Sequence, residues 1–260
     1  MKTFTKESLI KKLKGIKNKG WIHNHRKGND GSVGNLLEDL LGIEENNLPI
    51  PNAAEWEMKC QRRTTSSLST LFHMEPSPRA LKIVSGILLP EYGWPHKEAG
   101  KKYSGNEKSF RQTISTKQRS DRGFKVVVDR KNKKVLISFD SSSVDQRHEK
   151  WLKGVIKKVG PGELNPNPYW GFDDLYHAAG VKLPNCFYIL ADIKRENKKE
   201  FFNYNTIFKL SGLSLDKMIA AIEAGNIFVD FDARTGHNHG TKFRCKSNIL
   251  HTLYSHVEEI

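Results

Sequence analysis

The sequence is short of cysteine, of long apolar runs and of acidic residues, and each shortage narrows what the chain can be. Cys60, Cys186 and Cys245 are the three cysteines among 260 residues. They are odd in number, far apart and form no Cys-x-x-Cys pair, which speaks against a disulfide framework or a zinc ribbon. The cytoplasm is the expected compartment. No stretch approaches the roughly 18–20 apolar residues needed to span a bilayer. The opening Met1-Lys2-Thr3-Phe4 lacks the apolar segment of a secretory signal. No internal repeat is visible, and the glycine-aromatic stacking motifs of common single-strand RNA binders are missing.

What is present is positive charge. Lys and Arg number 43 against 29 Asp and Glu, giving a net charge of +14 and a pI near 9.6. Such a surplus sets up a long-range field suited to phosphate backbones; an uninvolved basic surface is the plain alternative. Hydrophobic residues make up 37% of the chain, with 13 Phe, 7 Tyr and 5 Trp, so a folded core is expected rather than disorder. The length suits one large domain or two modest lobes around a cleft.

Periodicity predicts a helix over 6–17, with Leu9, Ile10, Leu13 and Ile16 on one face. A second follows through Val33, Leu36, Leu37, Leu40 and Leu41, stopped by Gly42. Residues 46–52 read as a proline-interrupted loop. Residues 54–60 alternate strictly, so that in a strand Trp56, Met58 and Cys60 point one way and Glu55, Glu57 and Lys59 the other. Residues 67–72 read as a neighbouring strand, and 90–123 as a long basic loop or insertion. A hairpin joins 124–129 to 134–139. Further strands are expected at 186–192, 226–232 and 242–245. A helix opens at Ser214-Leu215, runs to Glu223 and is stopped by Gly225, and another is expected to close the chain from Ser247. The mixture lacks a regular βαβ rhythm, which predicts an α+β or irregular α/β fold.

Cutting a phosphodiester with water requires a nucleophile, neutralisation of the phosphate and help for the leaving oxygen. Carboxylates holding Mg2+ supply the last two, and an adjacent lysine can orient or deprotonate the water. Glu57-Met58-Lys59 puts an acid and an amine on one face of a strand, two residues or about 7 Å apart. The tripeptide alone is weak, since any half-exposed strand can carry it as a solvated ion pair.

Its surroundings are more specific. Gly31-Ser32-Val33-Gly34, Leu37-Glu38, Glu45-Asn46-Asn47, Glu55 to Lys59 and Thr70-Leu71-Phe72-His73 follow one another in an order that resembles the MvaI/BcnI family of restriction endonucleases, relatives of the nicking enzyme MutH. The likeness includes Ile16 to Gly20, which looks closest to BcnI. It resumes at Tyr169-Trp170-Gly171-Phe172-Asp173-Asp174-Leu175 and again at His237 to Arg244; residues 80–145 match least. The resemblance implies a MutH-like PD-(D/E)XK core of the α+β (mixed α/β) class, with a central mixed sheet flanked by helices. It implies one nuclease domain over 1–260, with two lobes around a DNA cleft: a catalytic lobe mainly in 1–145 and a recognition lobe mainly in 165–260.

By the same resemblance Glu57 is a metal ligand, Lys59 the catalytic lysine and Glu38 a supporting carboxylate from the preceding helix; Glu55 is either an outer carboxylate or solvated. The family's first metal-binding aspartate falls at Asn52, five residues before Glu57. An amide brings no charge, so this chain is either an inactivated or weakened form, or one that manages with Asn52 and Glu57, with or without Glu55. The resemblance assigns His73, Asp230, His237, His239 and Arg244 to base recognition, with Arg234 less securely aligned. The implied activity is Mg2+-dependent cleavage of double-stranded DNA by a monomer, at a G·C-rich site of the CC-N-GG kind, beside a cognate methyltransferase that is not stably bound. A DNA-binding protein that no longer cuts, and a MutH-like nickase, are the alternatives.

Phosphate contacts are expected from Arg26, Lys27, Arg62, Arg63 and the basic stretch 101–122. His23-Asn24-His25 and His237-Asn238-His239 spell the name of another nuclease class, in which those residues are dispersed rather than contiguous. A zinc site built from His237, His239 and Cys245 has unusual spacing and no evident fourth ligand.

Overall fold

The computed structural model describes residues 4–26, 29–43 and 55–260. Asn52, Lys27, Glu45 and the proline-containing loop 46–52 lie outside the described residues. Packing divides the chain into two compact units that interleave along the sequence. One holds Met1–Ser69, Ala179–Lys217 and Cys245–Ile260; the other holds Thr70–Ala178 and Met218–Arg244. These boundaries differ from a split into 1–145 and 165–260.

The first unit is built on a mixed sheet. Its strands are β1 (Trp21–His23), β2 (Trp56–Arg62), β9 (Asn185–Glu196), β10 (Lys199–Leu213) and β14 (Tyr254–Glu259). They run in the order β1-β10-β9-β2, with β14 also paired to β10. β2 is parallel to β9, while β1, β9 and β14 all meet β10 antiparallel. Two amphipathic helices supply much of this unit's core. α1 (Lys6–Lys17) starts in a capping box at Thr5 and buries Leu9, Leu13 and Ile16. α2 (Ser32–Leu41) buries Val33, Leu36, Leu37 and Leu41 and ends at Gly42 in the left-handed conformation, φ 73°, which glycine adopts without steric cost. These residues share one cluster with Trp56, Met58 and Phe187, against which Cys60 packs; Trp56 stacks on Phe187 at 4.4 Å. Burying a Leu of this kind is worth about 1.5–3 kcal/mol. The consequence for β2 is that its opposite face carries Glu57, Lys59 and Gln61.

The chain does not close in a helix from Ser247. The Ser247 carbonyl accepts the Tyr188 hydroxyl and its own hydroxyl donates to Thr65, which leaves it unsuited to start one. A short 3-10 turn, Leu250–Leu253, leads instead into β14, an edge strand satisfied by β10.

The second unit contains β3 (Ser69–His73), β4 (Trp94–Pro95), β5 (Lys108–Ile114), β11 (Ile227–Arg234), β12 (His237–Asn238) and β13 (Lys242–Cys245) in one sheet. Their order is β3-β13-β11-β5-β4, with β12 on β11. A three-stranded sheet holds β6 (Arg122–Asp129), β7 (Lys134–Val144) and β8 (Tyr169–Gly171). Phe110 meets Phe124 and Phe231 edge-on at 5.4 and 5.3 Å, so the core of this unit is aromatic. The helices α3 (Leu89–Tyr92), α4 (Glu149–Val159), α5 (Phe172–Lys182) and α6 (Leu215–Glu223) complete the fold.

Two expectations need correction here. The strand near 67–72 forms as β3, but its sheet partner is β13 and not β2, whose partner is β9. Residues 90–123 are not one loop, because they contain β4 and the well-paired β5. The polar look of β5 comes from one face: Arg111 and Thr113 stand across from Asp232 and Asp230, while Phe110 and Ile114 are buried behind them. Among the described residues no helix is long and apolar enough to cross a membrane.

Candidate active site

On β2 the alternation of the strand turns Glu57 and Lys59 to the same side, away from the helix-packed face. The Lys59 ammonium lies 3.0 Å from Glu57 Oε1, and the carboxylate side chain is only 3% exposed. The other oxygen, Oε2, is 3.2 Å from the ammonium of Lys182. Burying a charged group is costly unless it is closely paired, and here one ammonium faces each carboxylate oxygen. Cys186, directly opposite Glu57 in the register with β9, is fully buried, and burial pushes its thiol well above the ordinary range. Lys59 is opposite Tyr188, whose hydroxyl donates to Gln61 Oε1 at 3.0 Å. Glu57 and Lys59 therefore sit on paired strands, and Lys182 reaches them from the end of α5.

Lys182 is the residue that sequence reasoning missed. It stands at the last turn of α5, where a cation also suits the helix dipole. Parallel pairing is the signal that finds it: Glu57 is level with Cys186, so the segment just before β9 returns to the start of β2. The Leu183 carbonyl accepts the hydroxyl of buried Tyr254 at 3.0 Å, which fixes the chain immediately after Lys182.

Glu38 lies on α2 and its charge acts on Cys60; burial first and Glu38 second raise that thiol. Glu55 is an exposed turn residue; its carbonyl accepts Asn185 Nδ2 at 3.4 Å. Asn52 lies outside the described residues. Donor chemistry decides whether a divalent cation suits what remains. Mg2+ takes one or two carboxylates and completes its shell with water and phosphate oxygens. Glu57, a buried hard-oxygen donor beside a lysine, fits that role. Among the described residues no group of three His, Cys, Asp or Glu is placed to hold a metal by itself.

The other proposed residues gather on the sheet of the second unit. On β11 every second residue is buried, which turns Asp230, Asp232 and Arg234 to the opposite face. Arg244 Nη1 lies 3.3 Å from Asp230 Oδ2, and Thr113 donates to Asp230 Oδ1 at 2.7 Å. Asp232 is held by Arg111 at 2.5 Å and Lys242 at 3.2 Å. Burial works to raise the Asp232 pKa, but the hydrogen bonds from Arg111 and Lys242 outweigh it and hold the carboxyl below its usual value. An open depression of about 380 Å³ runs over Arg111, Thr113, Asp230 and Asp232.

His237 and His239 are exposed and meet edge-on at 4.2 Å. His239 donates its backbone N–H to the Asp232 carbonyl at 3.0 Å. Gly240 has φ +82°, and a Cβ there would come within 3.4 Å of His73 Cδ2, so this turn and His73 are neighbours. Arg234 is engaged differently: its guanidinium is 3.0 Å from Glu107 and 4.5 Å above the Tyr103 ring. It ties the 94–108 segment to β11.

The basic residues are also partly committed. Arg26 holds Asp39 through two nitrogens at 2.7 and 2.5 Å. Arg62, 12% exposed, faces Asp30 and Glu200. Arg63 bridges Asp192, Asn205 and Thr206 at 2.7–2.8 Å across the bulge of the β9–β10 pair. The Arg122 guanidinium lies 4.2 Å from the Trp94 ring and 5.4 Å from that of Trp151. Lys101 and Lys102 are exposed.

No curated protein sequence matches the chain. A solved complex of the restriction endonuclease MvaI with its cognate DNA substrate is 25% identical, covers 99% of each chain and superposes with a TM-score of 0.74. MvaI in the absence of DNA is 22% identical over 100% of both chains, with a TM-score of 0.55. The model of the MvaI/BcnI restriction endonuclease family matches residues 10–254, so the chain belongs to that family of site-specific deoxyribonucleases.

Proposed function

We propose that this protein hydrolyses phosphodiester bonds of duplex DNA at a short G·C-rich site of the CC-N-GG kind, as a monomeric, Mg2+-dependent type II restriction endonuclease. The observation that carries the reading is the buried Glu57 carboxylate 3.0 Å from Lys59 on one strand. Glu57, with the amide oxygen of Asn52, would hold Mg2+, which when bound supplies positive charge to the scissile phosphate and the leaving oxygen. Lys59 has the complementary tasks: its ammonium donates a hydrogen bond to a water or phosphate oxygen and so orients the attacking water, whose proton it could take only as the neutral amine. Glu38 and Glu55 are assigned supporting roles only.

Catalysis is assigned to the unit containing β2, and recognition to the unit containing β11 and β13. Arg244 and Asp230 suit guanine and cytosine edges respectively, and His73, His237 and His239 supply further base contacts. Arg234 is assigned to the recognition face through its grip on Glu107. Lys101 and Lys102 are assigned to phosphates, without sequence information. The partner in the cell is double-stranded DNA, protected by a methyltransferase that need not bind this chain.

Asn52 favours a second reading, a sequence-specific DNA-binding protein that no longer cuts. Incubating supercoiled plasmid with Mg2+ or Mn2+ and mapping the ends tests both. Linear product cut at one recurring short sequence is expected. A shifted band without linear product supports the non-cleaving reading, and open circles confined to hemimethylated plasmid support a MutH-like nickase.

A further inference from the structure

Glu57 has a charged neighbour that the catalytic assignment does not use. Lys182 Nζ is 3.2 Å from Oε2, and both its side chain, at 17% exposure, and the carboxylate, at 3%, are largely out of solvent. An ammonium at that distance in a poorly solvated site attracts the carboxylate strongly and repels a second cation placed beside the same oxygen. Its position is not accidental to a flexible surface chain. Lys182 is anchored by the end of α5, by the bond from Leu183 N–H to the Ala179 carbonyl at 2.7 Å, and by the Tyr254 hydroxyl on the Leu183 carbonyl. The two lysines leave the trio with a net positive charge, a surrounding that suits an incoming phosphate better than a free divalent ion.

We infer that Lys182 is a positioning residue that acts as the resident counter-ion of Glu57, fixing its carboxylate and weakening divalent-cation binding by the DNA-free protein. Metal uptake is thereby tied to the arrival of DNA, whose phosphate oxygens complete the shell and whose charge offsets that of Lys182. The inference rests on reading Glu57 as a metal ligand, and its test separates the two claims.

The measurement is Ca2+ titration of the full chain without DNA by calorimetry, with Tb3+ luminescence as a second signal. Lys182→Met and Lys182→Gln are compared with Lys182→Arg, which keeps the charge, and with Glu57→Gln alone and combined with Lys182→Met. Removing one unit charge next to the ligand oxygen is expected to tighten Ca2+ binding at least about tenfold, with Lys182→Arg close to the parent and the gain lost in the Glu57→Gln double variant. The melting temperature of Lys182→Met in EDTA is expected to fall and to recover on adding Ca2+. Unchanged or weaker Ca2+ binding in both neutral variants, with Glu57→Gln still weakening it, overturns the counter-ion role alone. Binding indifferent to Glu57→Gln in every background overturns the metal-ligand reading beneath it.

Discussion

The Lys59 ammonium meets the Glu57 carboxylate at 3.0 Å, and the intervening Met58 points the opposite way into a hydrophobic cluster. The pair is thus a product of strand alternation: burying Trp56 and Met58 forces Glu57 and Lys59 to share the other face. Glu57→Gln keeps the shape but removes the charge, and Lys59→Met keeps the stem but removes the amine. Each is expected to lower hydrolysis of cognate duplex at least about a hundredfold, while binding of uncut duplex in Ca2+ changes far less. Full activity in either variant, in single-turnover assays, removes the pair from the mechanism.

Asn52, proposed above as a ligand of Mg2+, would bring an oxygen but no charge. Restoring a carboxylate with Asn52→Asp is expected to raise Mg2+-dependent cleavage roughly tenfold or more, because hard cations are held mainly by anionic oxygens. Initial rates on one plasmid, at several Mg2+ concentrations, check this. An Asp variant no faster than the parent speaks against placing position 52 in the metal shell.

The sequence made some of this structure easy to read and concealed the rest for physical reasons. α1 and α2 show plainly because their apolar residues recur at helical spacing, and β2 because its apolar and polar residues alternate. β5 was hidden because Arg111 and Thr113 make half of it polar, facing the acids of β11. β10 was hidden because its 15 residues mix polar and apolar groups around a bulge between Asn203 and Thr206. Glu57 and Lys59 are neighbours in sequence and could be proposed together. Lys182, more than a hundred residues away, reaches them only through the parallel pairing of β2 with β9, which no local pattern encodes.

Asp230, proposed above to read bases, accepts the Thr113 hydroxyl at 2.7 Å and faces Arg244 at 3.3 Å. Arg244 is therefore pre-oriented before DNA arrives. Arg244→Ala is expected to cost about 1–3 kcal/mol of discrimination between cognate and altered duplex. Because Asp230 holds the guanidinium, Asp230→Ala should lose a similar amount and the double variant clearly less than both losses together. Competition binding at fixed salt, with matched and single-mismatch duplexes, gives these differences. Strict additivity would show that the two side chains work independently.

Asp232 provides a test that needs no DNA. Burial alone would raise its pKa, yet Arg111 and Lys242 hold it below the ordinary value, which in an unfolded chain is about 3.9. A carboxyl depressed in the folded state contributes stability above the unfolded pKa, and loses that contribution as pH falls through the lower, folded value. Asp232→Asn removes the charge at every pH. The variant is therefore expected to melt below the parent at neutral pH, and the gap should close as the pH is taken below about 3.9. Melting curves of both proteins across that range check the sign: a gap that stays constant, or widens in acid, means that the Arg111–Asp232–Lys242 cluster does not stabilise the sheet of β5, β11 and β13 through charge.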